Sequence, residues 1–325
     1  MRAGGSAGAT LGIDVGGTFL KAGIVRGARI LRQQVEATAR FSSSPGAMEA
    51  GIARLAQELM VAADGRIRVV GVGIPGLVLY PAGVVQSCAN LPRWRNIPLR
   101  VRLERRLGVR VRLDNDVNLM TLAEWRYGAG RGAENLVCVT LGTGVGGGLV
   151  LGGRLYRSRR GPSGEIGHVA VGELGPRCSC GGQGCLERYV GNREVVRSVR
   201  ARLRAGARSR IRELVGGRLE RITPEVIDQA CTLGDRFAQR IWEEAGQKIG
   251  LVLAKVVNLV SPDRIVIGGG IAKAGKWLLG PIRETVRRRA MRGLRAVPVV
   301  PARLGSSAGM IGAALLAREA LEGCD

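Results

Sequence analysis

Twice in this chain an apolar strand runs into a glycine-rich turn and emerges as a second strand. The first unit is Leu11-Gly-Ile-Asp14-Val15-Gly16-Gly17-Thr18, continuing through Leu20–Val25; the second is Leu136–Leu141, Gly142-Thr143-Gly144-Val145-Gly146-Gly147-Gly148 and on to Leu151. Apolar strands joined by consecutive glycines can form little but a tight reversal, since glycine lets the backbone turn or approach a ligand closely. Helix and strand units follow each time. A third strand over 30–36, a helix over 46–63, a buried strand at 67–73, a strand at 110–113 and a helix from Asp116 to Tyr127 complete the first series. A short strand at 154–156, helices from 193 to 259, a strand at 264–267, a helix after Gly275, a strand at 297–300 and a final helix from Ser306 make the second. The halves repeat an architecture with slight sequence identity. The expectation is an α/β protein of two lobes with a cleft between them. Residues 1–121 form the smaller lobe, completed by 306–325, and 122–305 the larger one.

Of the 325 residues, 46% are hydrophobic, enough for a sizeable core and too many for a disordered chain. Aromatics make up 3%, which offers little for stacking on nucleic-acid bases. The formal charge of +24 is spread over arginine-rich stretches at 100–112, 197–210 and 287–289. These read mostly as amphipathic helices with a solvated basic face, so no specific nucleic-acid partner is expected, although such a charge attracts nucleotide anions at low salt. Asp14 interrupts the only early apolar stretch, so no signal peptide is expected, and the longest uncharged run, Asn135 to Gly153, contains seven glycines and reads as two strands joined by a turn, so no membrane helix is expected. Seven cysteines, three of them clustered, suit a reducing cytoplasm and a metal site better than a disulfide framework.

In the first turn, Gly16, Gly17 and Thr18 can aim backbone N–H groups at phosphate oxygens. Asp14 is placed to hold Mg2+ near them, and Lys21 to add compensating charge. Taken alone, the same residues are equally a plain β-hairpin. The second turn carries a formal G-x-G-x-x-G at Gly142, Gly144 and Gly147, but a strand follows where a dinucleotide fold needs a helix. It reads instead as a second phosphate turn, with Thr143 and Gly144 at its tip. Gly268-Gly269-Gly270 is either a close-approach surface for a flat ligand such as adenine or a tight strand-to-helix turn. The P-loop pattern from Gly270 fails at Trp277, where the magnesium-binding hydroxyl should stand.

The lone histidine, His168, opens the pattern H-x9-C-x-C-x4-C with Cys178, Cys180 and Cys185. Three thiolates and an imidazole suit a closed, structural Zn2+ site; free cysteines in a turn or a C-x-C redox pair are the alternatives. In Asp114-Asn115-Asp116, one residue suffices to cap a helix, which leaves Asp116 as a candidate general base. Glu165 and Glu187 flank the cysteine cluster, and rigidly held carboxylates there suit sugar hydroxyls.

Together these residues resemble the ROK family of sugar kinases, repressors and uncharacterised proteins, from about Leu11 to Leu321. The most specific elements are Gly164-Glu-Ile-Gly-His168 and Cys178-Ser-Cys-Gly-Gly-Gln-Gly-Cys-Leu-Glu187; Asp14-Val-Gly-Gly-Thr18, Pro75-Gly76, Asn90-Leu91, Asn115-Asp116 and Leu141-Gly-Thr-Gly144 match in order. The resemblance is strongest to the bacterial glucokinases of that family. It implies an actin-like, ribonuclease-H-like fold and ATP-dependent phosphorylation of the 6-hydroxyl of a hexose, glucose foremost. N-acetylmannosamine, N-acetylglucosamine and fructose are alternative acceptors, and polyphosphate an alternative donor. By carry-over Asp116 is the catalytic base. Gly76, Asn90, Asn115, Glu165, His168 and Glu187 are sugar contacts; Asp14, Gly16, Gly17, Thr18, Lys21, Thr143, Gly144 and Gly269 are nucleotide contacts. A homodimer or homotetramer is implied. The rivals are a non-catalytic sugar-binding protein and a sugar-responsive regulator, the latter disfavoured because about ten residues before the first strand are too few for a helix-turn-helix. Two departures stand out: Phe19 follows the Gly-Gly-Thr where many relatives carry a polar residue, and Arg157 to Arg160 make the loop before Gly161 strongly basic.

Overall fold

The computed structural model describes residues 8–88, 93–158 and 161–323. They form two compact units. The first comprises the chain up to Gly132, Leu155–Ser163 and everything from Leu304; the second comprises Ala133–Arg154 and Gly164–Arg303. The division thus falls beyond the expected 121/122 boundary, because the helix that starts at Asp116 runs unbroken to Tyr127 and packs on the C-terminal helix.

In the first unit, β1 (Thr10–Val15), β2 (Phe19–Arg26), β3 (Arg29–Ala37) and β4 (Val69–Ile74) are followed by β5 (Leu77–Leu79), β6 (Val84–Ser87), β7 (Arg95–Ile97) and β8 (Arg110–Asn115). The main sheet has the order β3-β2-β1-β4-β8, with β5, β6 and β7 forming a separate three-stranded sheet. That small sheet was not expected, since strands of three or four residues are too short to show a period. Helices α1 (Pro45–Val61) and α2 (Leu99–Leu107) cover one face of the main sheet, burying Ile52, Leu55, Leu99 and Leu103 against Leu11, Ile13, Val70 and Val72. Ser44 caps α1 by accepting from the Ala47 N–H, with Pro45 preset for the first turn.

The other face carries α3 (Asp116–Tyr127) and the C-terminal helix (Ala308–Glu322). That helix lies with its backbone directly on the strands. A β-carbon at Gly12 would strike the carbonyl of Met310, and one at Gly71 the carbonyl of Ala313. Thr10 Oγ1 donates to the Ala314 carbonyl at 2.8 Å. Alternation along β1 puts Leu11, Ile13 and Val15 in one core and turns Thr10, Gly12 and Asp14 toward the C-terminal helix.

The second unit repeats the sheet. Its strands β9 (Leu136–Leu141), β10 (Val145–Leu151), β11 (Arg154–Leu155), β12 (Arg264–Gly268) and β13 (Val299–Pro301) stand in the order β11-β10-β9-β12-β13. As in the first unit, the leading hairpin is antiparallel and the next two pairings are parallel. Helices α4 (Glu187–Val190), α5 (Asn192–Arg204), α6 (Ile211–Leu214), α7 (Pro224–Thr232), α8 (Arg236–Val260) and α9 (Lys276–Arg289) share one core with the sheet, centred on Trp242, Ile249, Leu253, Ile265 and Ile282. Among the described residues, no helix is long and apolar enough to cross a membrane.

Candidate active site

Three parallel strands of the first unit end level with one another. Asp14 of β1 pairs with Gly73 of β4, and Gly73 with Asp114 of β8. One pleat later β8 passes into α3 through Asn115, whose side chain accepts from the N–H groups of Val117 and Asn118 at 2.8 and 3.2 Å. Its amide donates to the Gly76 carbonyl at 2.9 Å. Gly76 itself has φ 102°, and a β-carbon there would collide with the Ser87 carbonyl. Asn115 is therefore the cap, and Asp116 opens the helix with its carboxylate at the N-terminal turn, where anions are favoured. The carboxyl ends of parallel strands, beside a helix N-terminus, are where open α/β sheets place their ligands.

Asp14 lies beneath the start of the C-terminal helix, where a β-carbon on Gly309 would meet its carboxylate at 2.6 Å. Burial, reinforced by the charge of Asp116 and opposed by Lys21, pushes the Asp14 carboxyl up to about 7. Lys21 is its cross-strand partner and donates to the Ser306 carbonyl at 2.5 Å, so its ammonium group is held beside Asp14. Gly16, Gly17 and Thr18 form a turn closed by the Gly16 N–H on the Phe19 carbonyl at 2.9 Å. Thr38 braces it, donating from Oγ1 to the Gly16 carbonyl at 2.7 Å and from its N–H to the Thr18 carbonyl at 2.9 Å. Gly17, Thr18 and Phe19 are exposed.

The second unit holds the cysteine cluster and the second turn together. His168, Cys178, Cys180 and Cys185 bring four ligand atoms within 4.8 Å of one another. His168 Nδ1 is 3.6 Å from Cys178 Sγ, and Cys180 Sγ is 3.6 Å from Cys185 Sγ. A tetrahedron with metal–sulfur bonds of about 2.3 Å has edges of about 3.8 Å, so the spacing fits Zn2+. The local turns come from Gly181 and Gly184, with φ 93° and 69°. With Nδ1 turned to the thiols, His168 presents Nε2 to Glu165, 3.9 Å away. Desolvation holds the Glu165 carboxyl above its usual range, against the pull of His168 and with a push from Glu187.

Glu187 opens α4 two residues after Cys185 and accepts the Val145 N–H at 2.9 Å. It thereby joins the cluster to the turn at Thr143 and Gly144, a contact no local pattern indicated. Gly269, with φ 90°, presses its α-carbon against the Leu141 backbone, whereas Gly270 faces open space. Of the residues singled out in the sequence, Asn90, Leu91, Arg159 and Arg160 lie outside the described residues.

The arginine stretches are largely tied into the protein's own surface. Arg106 pairs with Glu49 at 2.5 Å, Arg202 with Glu244 at 2.5 Å and Arg287 with Glu284 at 2.8 Å, while Arg200 donates to the carbonyls of Leu219 and Glu220.

Two five-stranded sheets of one order, each entered through a strand–glycine turn–strand hairpin, make up the two-lobed actin-like ATPase fold. Within it the chain belongs to the ROK family, whose profile matches residues 10–320. It is 35% identical over 316 residues to a glucokinase of Thermotoga maritima, covering 96% of this chain and 98% of the relative. A ROK family glucokinase from Streptomyces griseus, solved in complex with glucose and AMPPNP, superposes with a TM-score of 0.84 at 34% identity, covering 96% of this chain and 100% of that one. A DNA-binding transcriptional dual regulator of Escherichia coli K12 is 33% identical over 255 residues, or 78% of this chain and 61% of the regulator. The expectation of an ATP-dependent sugar kinase holds.

Proposed function

We propose that the chain transfers the γ-phosphoryl group of ATP to the 6-hydroxyl of a hexose, with glucose as the preferred acceptor. The observation carrying this reading is the placement of Asp116 at the head of α3, next to strand ends that also present Asp14. Asp116 takes the proton from the attacking hydroxyl. Asn115, fixed by its cap bonds and by Gly76, sets the direction of that carboxylate. The N–H groups of Gly16, Gly17 and Thr18 receive phosphate oxygens, and the family resemblance assigns Thr143, Gly144 and Gly269 of the second unit to the nucleotide as well. Lys21 offsets the charge of Asp14. Two neighbouring carboxylates, with the Lys21 ammonium on the far side of Asp14, suit a divalent cation, and Mg2+ held by Asp14 would neutralise charge on the β- and γ-phosphates.

Glu165, the Nε2 of His168 and Glu187 of the second unit take sugar hydroxyls, and the family resemblance assigns the same role to Asn90 and Asn115. Zn2+ bound by His168 Nδ1 and the three thiolates would keep that patch rigid, and four protein ligands leave no position for water activation. The glucokinase relatives support glucose as the acceptor. The family resemblance favours a cytoplasmic homodimer or homotetramer, and light scattering on purified protein tests the oligomer. ADP release is to be measured over a panel of glucose, mannose, fructose, N-acetylglucosamine and N-acetylmannosamine. Highest kcat/KM with glucose is expected. Turnover with an N-acetylated sugar alone would move the acceptor, and no turnover with any hexose would overturn the kinase reading in favour of a regulator.

A further inference from the structure

The basic loop before Gly161 contains a side chain turned inward. Arg157 belongs to the Leu155–Ser163 segment, which packs with the first unit although the chain on either side of it belongs to the second. Its Nε donates to Asp114 Oδ2 at 2.6 Å, and its guanidinium lies over the Tyr80 ring, 4.1 Å from the centroid. Asp114 is buried, at 1% exposure. Its other oxygen accepts the Asn115 N–H at 2.7 Å and the Asn118 side-chain amide at 2.9 Å. Asp114 therefore has one oxygen on Arg157 and the other on the first turn of α3, the turn that carries Asp116. A buried carboxylate deprived of its cation is costly to keep in place, whereas removing both partners is much less so.

We propose that Arg157 is a positioning residue: through Asp114 it holds the β8–α3 junction so that the Asp116 carboxylate meets the acceptor hydroxyl. This rests on Asp116 being the base. The geometry assigns the Arg157 guanidinium to the acceptor side of the reaction rather than to the nucleotide phosphates, because its Nε and ring face are engaged with Asp114 and Tyr80. The first basic residue of the loop thus tunes alignment, not donor affinity. Displacing a reacting group by about 1 Å is enough to cost about 100-fold in rate.

The test compares Arg157→Met, Arg157→Lys, Asp114→Asn and the Asp114→Asn/Arg157→Met double variant, with Asp116→Asn as reference. Arg157→Met is expected to lower kcat on the order of 10- to 100-fold, with KM for ATP within about threefold of the parent. Arg157→Lys should recover part of kcat, since it restores the charge without the fork. The double variant should be more active than Arg157→Met alone, because it no longer buries an unpaired charge. A lowered melting temperature with unchanged kcat would make the pair merely structural and overturn the proposal. So would a rise in KM for ATP with kcat intact, which would place Arg157 on the donor. If Arg157→Met does not fold, the comparison of Asp114→Asn with the double variant decides: a lowered kcat in Asp114→Asn that the double variant shares is expected, whereas parental kcat in Asp114→Asn, or a further loss in the double variant, would show that Arg157 does not act through Asp114 and overturn the proposal. Normal turnover by Asp116→Asn would defeat the base assignment itself, whereas an inactive Asp116→Asn beside a normal Arg157→Met would defeat this inference alone.

Discussion

Replacing Asp14 with asparagine should stabilise the ligand-free protein while disabling it. Burial beneath Gly309 and the nearby charge of Asp116 push the Asp14 carboxyl from 3.8 to about 7, in spite of Lys21. The native state therefore keeps a proton on Asp14 that the unfolded chain has already released. Between pH 4 and 7 the folded protein binds more protons than the unfolded one, so this group's contribution to stability falls as pH rises and reaches its full penalty above pH 7. At 1.36 kcal/mol per pKa unit the full penalty is about 4 kcal/mol, of which about 2.5 kcal/mol develops between pH 5 and pH 8. Asparagine has nearly the same shape and no charge to desolvate. In urea unfolding without divalent cations or nucleotide, the variant should be more stable than the parent at pH 8. Its advantage should shrink by up to about 2.5 kcal/mol on going to pH 5. The same variant should lose on the order of 100-fold or more in kcat, since its amide is a poor anchor for Mg2+. An advantage that does not change with pH, or a parent that is the more stable protein at pH 8, would refute the account of Asp14 as a carboxylate kept at the cost of stability.

Three further outcomes are expected. Asp116→Asn should reduce kcat on the order of 10²- to 10⁴-fold with sugar binding by calorimetry little changed, because the cap belongs to Asn115 and the fold does not depend on the base. Elemental analysis should find one Zn2+ per chain. Cys178→Ser should lose it, with a lower melting temperature and a raised KM for the sugar, since His168 and Glu187 are both attached to the cluster. Gly71→Ala should destabilise the protein by about 2–4 kcal/mol in denaturant, because its β-carbon would lie on the Ala313 carbonyl and push the C-terminal helix off the sheet.

Features built from residues close in sequence are legible in the order of residues alone. The four candidate metal-binding side chains span only His168 to Cys185, and the glycines between the cysteines dictate the tight turns that gather them. The hairpins around Gly16 and Gly142 follow from strand period and glycine placement, and the cap at Asn115 from residue type. The duplicated sheet order is readable as a repeat of element order, though not as a register.

Contacts between distant residues were decided by the tertiary structure alone. No period announces that Gly12 and Gly71 exist to admit a helix some 300 and 240 residues further on, as these are ordinary strand glycines until the helix backbone is laid across them. The elevated Asp14 carboxyl, the tie from Glu187 to Val145 and the ion pair of Arg157 with Asp114 have the same origin. Sequence supplied the two phosphate-turn candidates and the cluster, because each is short enough for local geometry to determine. Packing decided which faces those groups share and what charge they can keep, because burial and side-chain contact depend on chain segments that local pattern does not connect.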